Sequence, residues 1–321
     1  MINLPSERIE LSYTKKIVNY KYAAIKAIKR DKYLILMSIP GLLITFLFKY
    51  LPIYGLLMVF TRYNPAKGIW GSEWVGFYYF ESIFKDPYII RCVKNTLLLG
   101  IYSLVWSFPA PIVLALLLNE VKTIWFKKMV QTLTYLPHFI SAVIFIGFLR
   151  QILSPSTGLI NFLLSQMGID KINFFGRQEW FRTLYIGSGI LQGVGFGAII
   201  YLAALSNIDV SIYEAAIIDG ANRWQRIIYI NIPGIMPTVS ILLIFALAGI
   251  LGNDSLKILL MYSPQTYETA DVLGTYIYRM GIENNNFSFG AALGLMLSIV
   301  SFILIVVSNY ASKKISETSL W

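Results

Sequence analysis

Six long apolar stretches constrain this chain more than any motif in it. A bilayer core is about 30 Å thick, and a helix needs roughly 20 apolar residues to cross it. Stretches near 33–60, 92–118, 129–152, 181–206, 228–251 and 288–310 meet that length. The chain is 56% hydrophobic and only 14% charged, too little charge for a soluble fold of 321 residues. The fold class expected is an all-α membrane protein with six transmembrane helices. The first stretch is long for a simple crossing and contains Pro40, Lys49 and Pro52, so a bend or tilt is expected there.

The net charge of +10 reads as orientation rather than as a nucleic-acid surface. Fifteen Lys/Arg fall in 1–32, 119–128, 207–227 and 311–321, against nine in 61–91, 153–182 and 252–287. The bias places both termini and the 207–227 loop in the cytoplasm. No cleavable signal peptide is read at the basic N-terminus. A single cysteine, Cys92, excludes an internal disulfide and a cysteine-based metal cage, and a single histidine, His138, argues against zinc. No metal or other cofactor is expected on this chain.

Two segments carry two readings each. Residues 15–30, with Lys15, Lys16, Lys21, Lys26, Lys29 and Arg30 among apolar positions, suit a basic amphipathic helix on lipid or a solvated tail. The aromatic loop from Tyr63 through Trp70 and Trp74 to Phe80 suits an interfacial belt or a sugar-facing surface. Inverted repeats, arginine runs and a potassium-type filter are not found.

The polar stretch 211–226 is the most specific feature. Ser211 followed by Glu214 has the spacing of a capping box. Ala215 and Ala216 allow a partner to approach closely. Gly220 permits the backbone turn that ends a first short helix, and Asn222 to Ile230 reads as a second. Pro233 and Pro237 bend the following span. The expected product is an angled helix pair beneath the membrane, with Glu214, Arg223 and Arg226 fixing its register on a partner. An ordinary capped loop satisfies the same helix rules.

Glu214-Ala215-Ala216, then Asp219-Gly220-Ala221, Ile227, Ile230, Ile232-Pro233 and Pro237 resemble the signature of permease subunits of ATP-binding-cassette importers, the carbohydrate-uptake branch in particular. Phe48 to Pro52, Tyr63-Asn64-Pro65, Gly71 to Gly76, Asn95-Thr96-Leu97, Phe108 to Pro111, Leu118-Asn119-Glu120, Tyr135 to Phe139 and Ser319-Leu320-Trp321 look like the polysaccharide-type permeases, such as those importing alginate oligomers. The resemblance implies a type I importer fold whose 207–227 loop is a coupling helix. It implies that Glu214 meets a basic group of the ATPase, that Ala215, Ala216 and Gly220 give the close fit, that Asp219 stabilises the turn, and that Ala221 belongs to the same coupling set. It divides the chain into a basic cytoplasmic segment 1–32, a first span with outer loop 33–90, a core 91–310 and a tail 311–321. The partners it implies are a second homologous permease, two ATPase subunits carrying ATP and Mg, an extracellular sugar-binding lipoprotein and an oligosaccharide, at the bacterial plasma membrane. Two departures stand out: Ile227 replaces a usual aromatic, and Asp254-Ser255-Leu256-Lys257 replaces a Gly-Phe-acid-basic run.

No phosphate-cradling loop, nucleophile elbow or zinc-protease pair occurs. The chain is therefore not expected to hydrolyse ATP itself. Tyr102, Trp106, Gln192, Tyr201, Asn253 and Asp254 are the expected cargo contacts, because polar and aromatic residues within spans are costly unless they face a cavity or another helix. Core packing competes for the aromatics. An interhelical hydrogen bond competes for Gln192, which lies in the glycine-rich stretch Gly187 to Gly197. His138 reads as an interfacial residue, and Lys94 and Arg150 as snorkelling cations. Rival functions are a permease for peptides or amino acids and a membrane-embedded glycan-processing enzyme.

Overall fold

The computed structural model describes residues 30–316. All of 15–30 except Arg30, and the closing 319–321, lie outside the described residues. The backbone divides into two compact units, up to Leu57 and from Met58 onward.

The described part of the first unit is a helix, Lys32–Thr45, continuing through a wide turn at Phe46–Tyr50 into a tight helical stretch, Leu51–Phe60, whose last three residues belong to the second unit. None of residues 32–50 is buried, as fits a helix apolar on every face. The bend expected from Pro52 takes the form of that wide turn, in which Leu51 N–H reaches back to Phe46 O.

The wide turn recurs for the same reason. Proline has no N–H and its ring collides with the carbonyl four residues back. Opening one turn to i→i+5 bonding relieves the collision at the cost of one inserted residue. Three of the four wide turns among the described residues, at 46–50, 103–107 and 227–231, each end two residues before a proline, Pro52, Pro109 and Pro233; the fourth, at 279–283, is not followed by one. In each of the three, the residue just before the proline donates the long bond, as Phe108 N–H does to Ser103 O at 3.1 Å.

In the second unit, β1 (Thr61–Asn64) and β2 (Gly68–Trp74) form an antiparallel hairpin. A short helix, Tyr78–Lys85, precedes the second span, Pro87–Glu120. The third span differs from the continuous helix expected over 129–152. It is two arms, Ile124–Phe139 and Ala142–Ile152, bent by 106°. Pro137 interrupts the ladder, Ile140 and Ser141 are extended, and Ser141 caps the second arm by accepting Ile144 N–H. Apolar composition runs through both arms, so it cannot reveal the corner. The fourth span is Gln178–Ser206, the fifth Arg223–Leu247 and the sixth runs from Phe287. Counting the bent pair as one, six segments among the described residues are long and apolar enough to cross a membrane.

Between the fifth and sixth spans, residues 255–278 form three short α-helices and one 3-10 turn; Tyr267–Ala270 and Leu273–Tyr278 pack on the second span, and Ser255–Met261 packs on the second arm of the third. Fully buried Asp271 pairs with Arg279 and accepts hydrogen bonds from Tyr88 at 2.5 Å and Thr275 at 2.6 Å. Asn95 donates to the carbonyls of Glu268 and Asp271. Arg150 does not merely snorkel, since its guanidinium caps the carbonyls of Leu260 and Met261. The second and fourth spans pack along a shared core containing Ala115, Leu116, Ala198 and Leu205.

Candidate functional site

Two polar features stand out from the apolar body: a helical knuckle at 209–226 and a cleft among the second, fourth and fifth spans.

The knuckle starts at Asp209, not Ser211. Asp209 caps the helix Val210–Ile218 by accepting Ser211 N–H at 2.9 Å, which draws its carboxyl below the usual carboxylate range. Ser211 therefore lies inside the first turn, and the Ser211–Glu214 spacing is not the cap. The helix ends at Gly220, whose φ is +77°, a conformation glycine adopts without a Cβ penalty. Gly220 N–H returns to Ile217 O at 3.1 Å and Ala221 N–H to Ala216 O at 2.9 Å, the paired bonds of a glycine-terminated helix. A second cap follows at once. Asn222 and Gln225 exchange backbone and side-chain bonds of 2.9 and 2.7 Å and start a single turn, Arg223–Arg226. The second helix thus covers less than 222–230, because the wide turn before Pro233 takes residues 227–231.

One face of the knuckle is exposed: Glu214, Ala215, Ile217 and Asp219, with Ile218 at 85%. Asp219 contributes its N–H to Ala215 O at 3.0 Å, while its carboxylate stays on the surface. The other face is braced. Tyr213 donates its hydroxyl to Asn231 Oδ1 at 2.5 Å, and Asn231 is 0% exposed. Burial lifts the Tyr213 phenol above its ordinary range. Arg226 donates to Ala221 O and pairs with Glu120, at the end of the second span, at 3.8 Å; both side chains are under one-fifth exposed. The knuckle is therefore tied to the fifth span through Asn231 and to the second through Glu120.

The cleft comprises adjoining cavities. One of about 350 Å³ is lined by Ser103, Ser107, His138, Tyr185, Gln192, Asp254 and Lys257. A second, of about 450 Å³, shares Ser103, Ser107, Tyr185 and Asp254 and adds Asn253. A third, of about 540 Å³, is lined by Tyr102, Trp106, Glu179 and Arg182. Hydroxyls, amides, charges and flat rings in a mostly pre-formed concavity suit a polyhydroxylated ligand.

Five of the six expected cargo contacts line these cavities. Tyr102 and Trp106, one helical turn apart, present partly exposed rings, Trp106 at 62%. Gln192 lines the cleft, yet its amide also donates to Ile140 O at 2.9 Å, which the corner in the third span leaves without a ladder partner. The interhelical bond is therefore its main tie. Asn253 donates to Thr96 O at 3.1 Å, and Asp254 accepts Lys257 N–H at 3.0 Å as a helix cap. Tyr201 is elsewhere. It is 3% exposed in the core with Ala115, Ala198 and Ile235, where its ring fills the contact between spans, and it lines none of these cavities. His138 stacks on Phe196 with centroids 4.0 Å apart. Arg182, Ser103 and Ser107 were not visible as site residues in the sequence, and Lys257 was marked only as part of the Asp254–Lys257 departure, an outer-side position expected to touch the cargo. The Asp254–Lys257 cap spacing inside a departure from the family run was the available signal for Lys257.

Residues 93–317 match the family described as binding-protein-dependent transport system inner membrane component. Protein LplB of Bacillus subtilis (strain 168) is 41% identical over 295 residues, 92% of this chain and 93% of that protein. The polygalacturonan/rhamnogalacturonan transport system permease protein YteP of the same organism is 41% identical over 301 residues, 94% of each. Among solved structures, a bacterial ABC transporter involved in the import of the acidic polysaccharide alginate has a chain 42% identical to this one. It superposes with a TM-score of 0.85 over 92% of this chain and 99% of that one. A second structure shows such a transporter with an alginate pentasaccharide-bound periplasmic protein, at the same identity and TM-score.

Proposed function

Because the chain belongs to the family of inner membrane components of binding-protein-dependent transport systems, we propose that it forms part of an ATP-driven oligosaccharide import path and that a partner ATPase drives it at the 209–226 knuckle. It is a permease subunit, and ATP hydrolysis belongs to a separate subunit. The sugar reading is favoured over a peptide or amino-acid cargo by saccharide-transporting relatives aligned over almost the whole chain and by a cleft lined with hydroxyls, amides and rings.

The coupling reading rests on one observation: the knuckle is exposed on one face and braced to two spans on the other. A cytoplasmic ATPase pair binding ATP and Mg moves Glu214, Ala215 and the Ile217–Ile218 edge. The braces carry that displacement into the second and fifth spans. Those spans, with a second related permease, open the cleft alternately to each side of the bacterial plasma membrane, with both termini and the knuckle cytoplasmic. A sugar-binding lipoprotein delivers the oligosaccharide from outside. Shifting such an equilibrium from 1:99 to 99:1 requires about 5.5 kcal/mol of differential binding.

Glu214 tests this directly. Its side chain is exposed, so Glu214→Ala leaves folding unchanged within about 0.5 kcal/mol. In proteoliposomes holding the assembled importer, ATP-dependent uptake falls at least tenfold. Wild-type uptake by a correctly inserted variant refutes the docking role.

A further inference from the structure

We propose that Lys257 reads a carboxylate on the cargo, so that the oligosaccharides carried by this path bear uronate groups. The inference rests on the importer reading above and adds a substrate class to it. Lys257 is 5% exposed and lines the 350 Å³ cavity. Its ammonium donates to Tyr185 O at 2.8 Å and lies 4.7 Å from the Tyr185 ring centroid. That carbonyl already accepts the Ser188 hydroxyl at 3.0 Å, so it is a shared and weakened partner. An ammonium offers three donors. No carboxylate lies within ion-pair distance of Lys257 among the described residues. Asp254 is the nearest acid in sequence, and it is exposed and committed to capping the helix that Lys257 sits on.

A buried cation is tolerated where an anion and hydrogen bonds compensate its lost hydration. Here the protein supplies the carbonyl, the ring and, short of ion-pair contact, the field of the exposed Asp254 carboxylate, while the remaining side of the site is a cavity. The adjoining cavity repeats the pattern. Arg182 lines it, donates to Asn95 Oδ1 at 3.1 Å, and keeps a buried Nε without a partner among the described residues, while Glu179 of the same lining is exposed. The acids of the cleft are hydrated and the cations are withdrawn into its wall. A ligand that enters with carboxylates and hydroxyls completes both sites, whereas a neutral sugar leaves the ammonium unpaired.

The test uses the assembled importer in proteoliposomes, with its binding protein, and two probes of one shape: a galacturonate trisaccharide and its neutral methyl ester. Affinity of the binding protein for each probe is measured separately, so that uptake is compared at equal delivery. Wild type is expected to move the acid at least tenfold faster than the ester. Lys257→Gln is expected to lower acid uptake about tenfold and ester uptake by less than about threefold, so that the acid-to-ester ratio falls at least threefold, and Lys257→Arg to retain acid uptake within about threefold. Wild-type acid uptake by Lys257→Gln, or an equal fall for both probes, overturns the inference. If Lys257→Gln fails to assemble, wild-type selectivity decides: a tenfold preference for the acid supports the inference and equal rates overturn it. Entry of the ester alone overturns this inference and leaves the importer reading intact. Entry of neither probe overturns both.

Discussion

Replacing Tyr213 with phenylalanine tests the brace between the knuckle and the fifth span. The ring stays, so no cavity of consequence forms, and what is lost is the hydroxyl, which donates to Asn231 and also meets the Asn119 side chain at the end of the second span. Asn231 is fully buried, and its amide nitrogen already has no hydrogen-bond partner among the described residues. After the substitution its oxygen is unpaired as well. A buried acceptor stripped of its partner costs about 1–3 kcal/mol, more than the net 0.5–1.5 kcal/mol of an ordinary hydrogen bond. The expected loss for Tyr213→Phe is therefore about 2 kcal/mol. Removing both polar partners together avoids the unpaired group, so Tyr213→Phe with Asn231→Leu is expected to recover at least about 1 kcal/mol relative to the sum of the single changes. Equilibrium unfolding of the solubilised protein by SDS titration measures these energies. The functional readout is ATP hydrolysed per sugar imported. The exposed docking face is untouched, so ATPase stimulation persists while the ratio rises. A cost below about 0.5 kcal/mol, strictly additive single effects, or an unchanged ratio refutes the brace.

Two further predictions follow from the packing and the charge. A Cβ added at Gly195 would lie 2.2 Å from Thr134 O and 2.3 Å from Thr134 C; backbone cannot yield as a side chain does, so Gly195→Ala is expected to cost at least about 1–3 kcal/mol, read as loss of the folded fraction in the same titration, whereas Gly193→Ala, with open space at the Cβ position, is expected to be near neutral. Burial pulls the Lys257 ammonium down to about 8 from 10.5, with the Asp254 charge opposing, in a setting that also holds Tyr185 and His138; the folded state then binds fewer protons than the unfolded state between these values, so stability relative to Lys257→Met rises with pH from about 8 toward 10, by at most about 1.4 kcal/mol per pH unit, and a flat difference across that window refutes the assignment.

The sequence made legible what is governed by neighbours along the chain. Gly220 ends the first helix of the knuckle as turn chemistry requires, and a second helix starts at Asn222 as expected, although the Asn222–Gln225 pair that caps it was seen only in the structure. The six spans were likewise readable, because crossing a bilayer needs only length and apolarity. The cap was misread at one point: Asp209 and Ser211 both have the right side chain, and only the backbone shows which residue lies outside the helix. The corner in the third span was hidden, since Ala142–Ile152 is as apolar as its surroundings. Hence Gln192 carried two readings until its bond to Ile140 O was seen. The cleft was the least legible part. Lys257 reaches Tyr185 across 72 positions, and no local pattern marks such a meeting.

The wide turns relate the two polar features to each other. Each is an α-helix with one residue inserted, so the faces before and after it are offset by about 100° from a straight helix. The turn at 227–231 lies directly after the knuckle and ends on Asn231, which receives Tyr213. The turn at 103–107 supplies Ser103 and Ser107 to the cleft, and the same span runs on to Glu120, which receives Arg226. The fourth span carries Tyr185 and Gln192 and ends at Ser206, just before the knuckle. A displacement of the knuckle thus has three helical routes to the cleft, and two of them contain a turn whose bonding is already opened by a proline. Because the ring of the proline behind each turn collides with the carbonyl four residues back, the offset is fixed by the sequence: it aims Ser103 and Ser107 into the cleft, while Asp271, Arg279 and Asn95 hold the far end of the same span. The span thus joins a clamped end to the end that meets the knuckle through Glu120, which is the physical basis on which the proposed coupling would carry a displacement of the knuckle to the cleft.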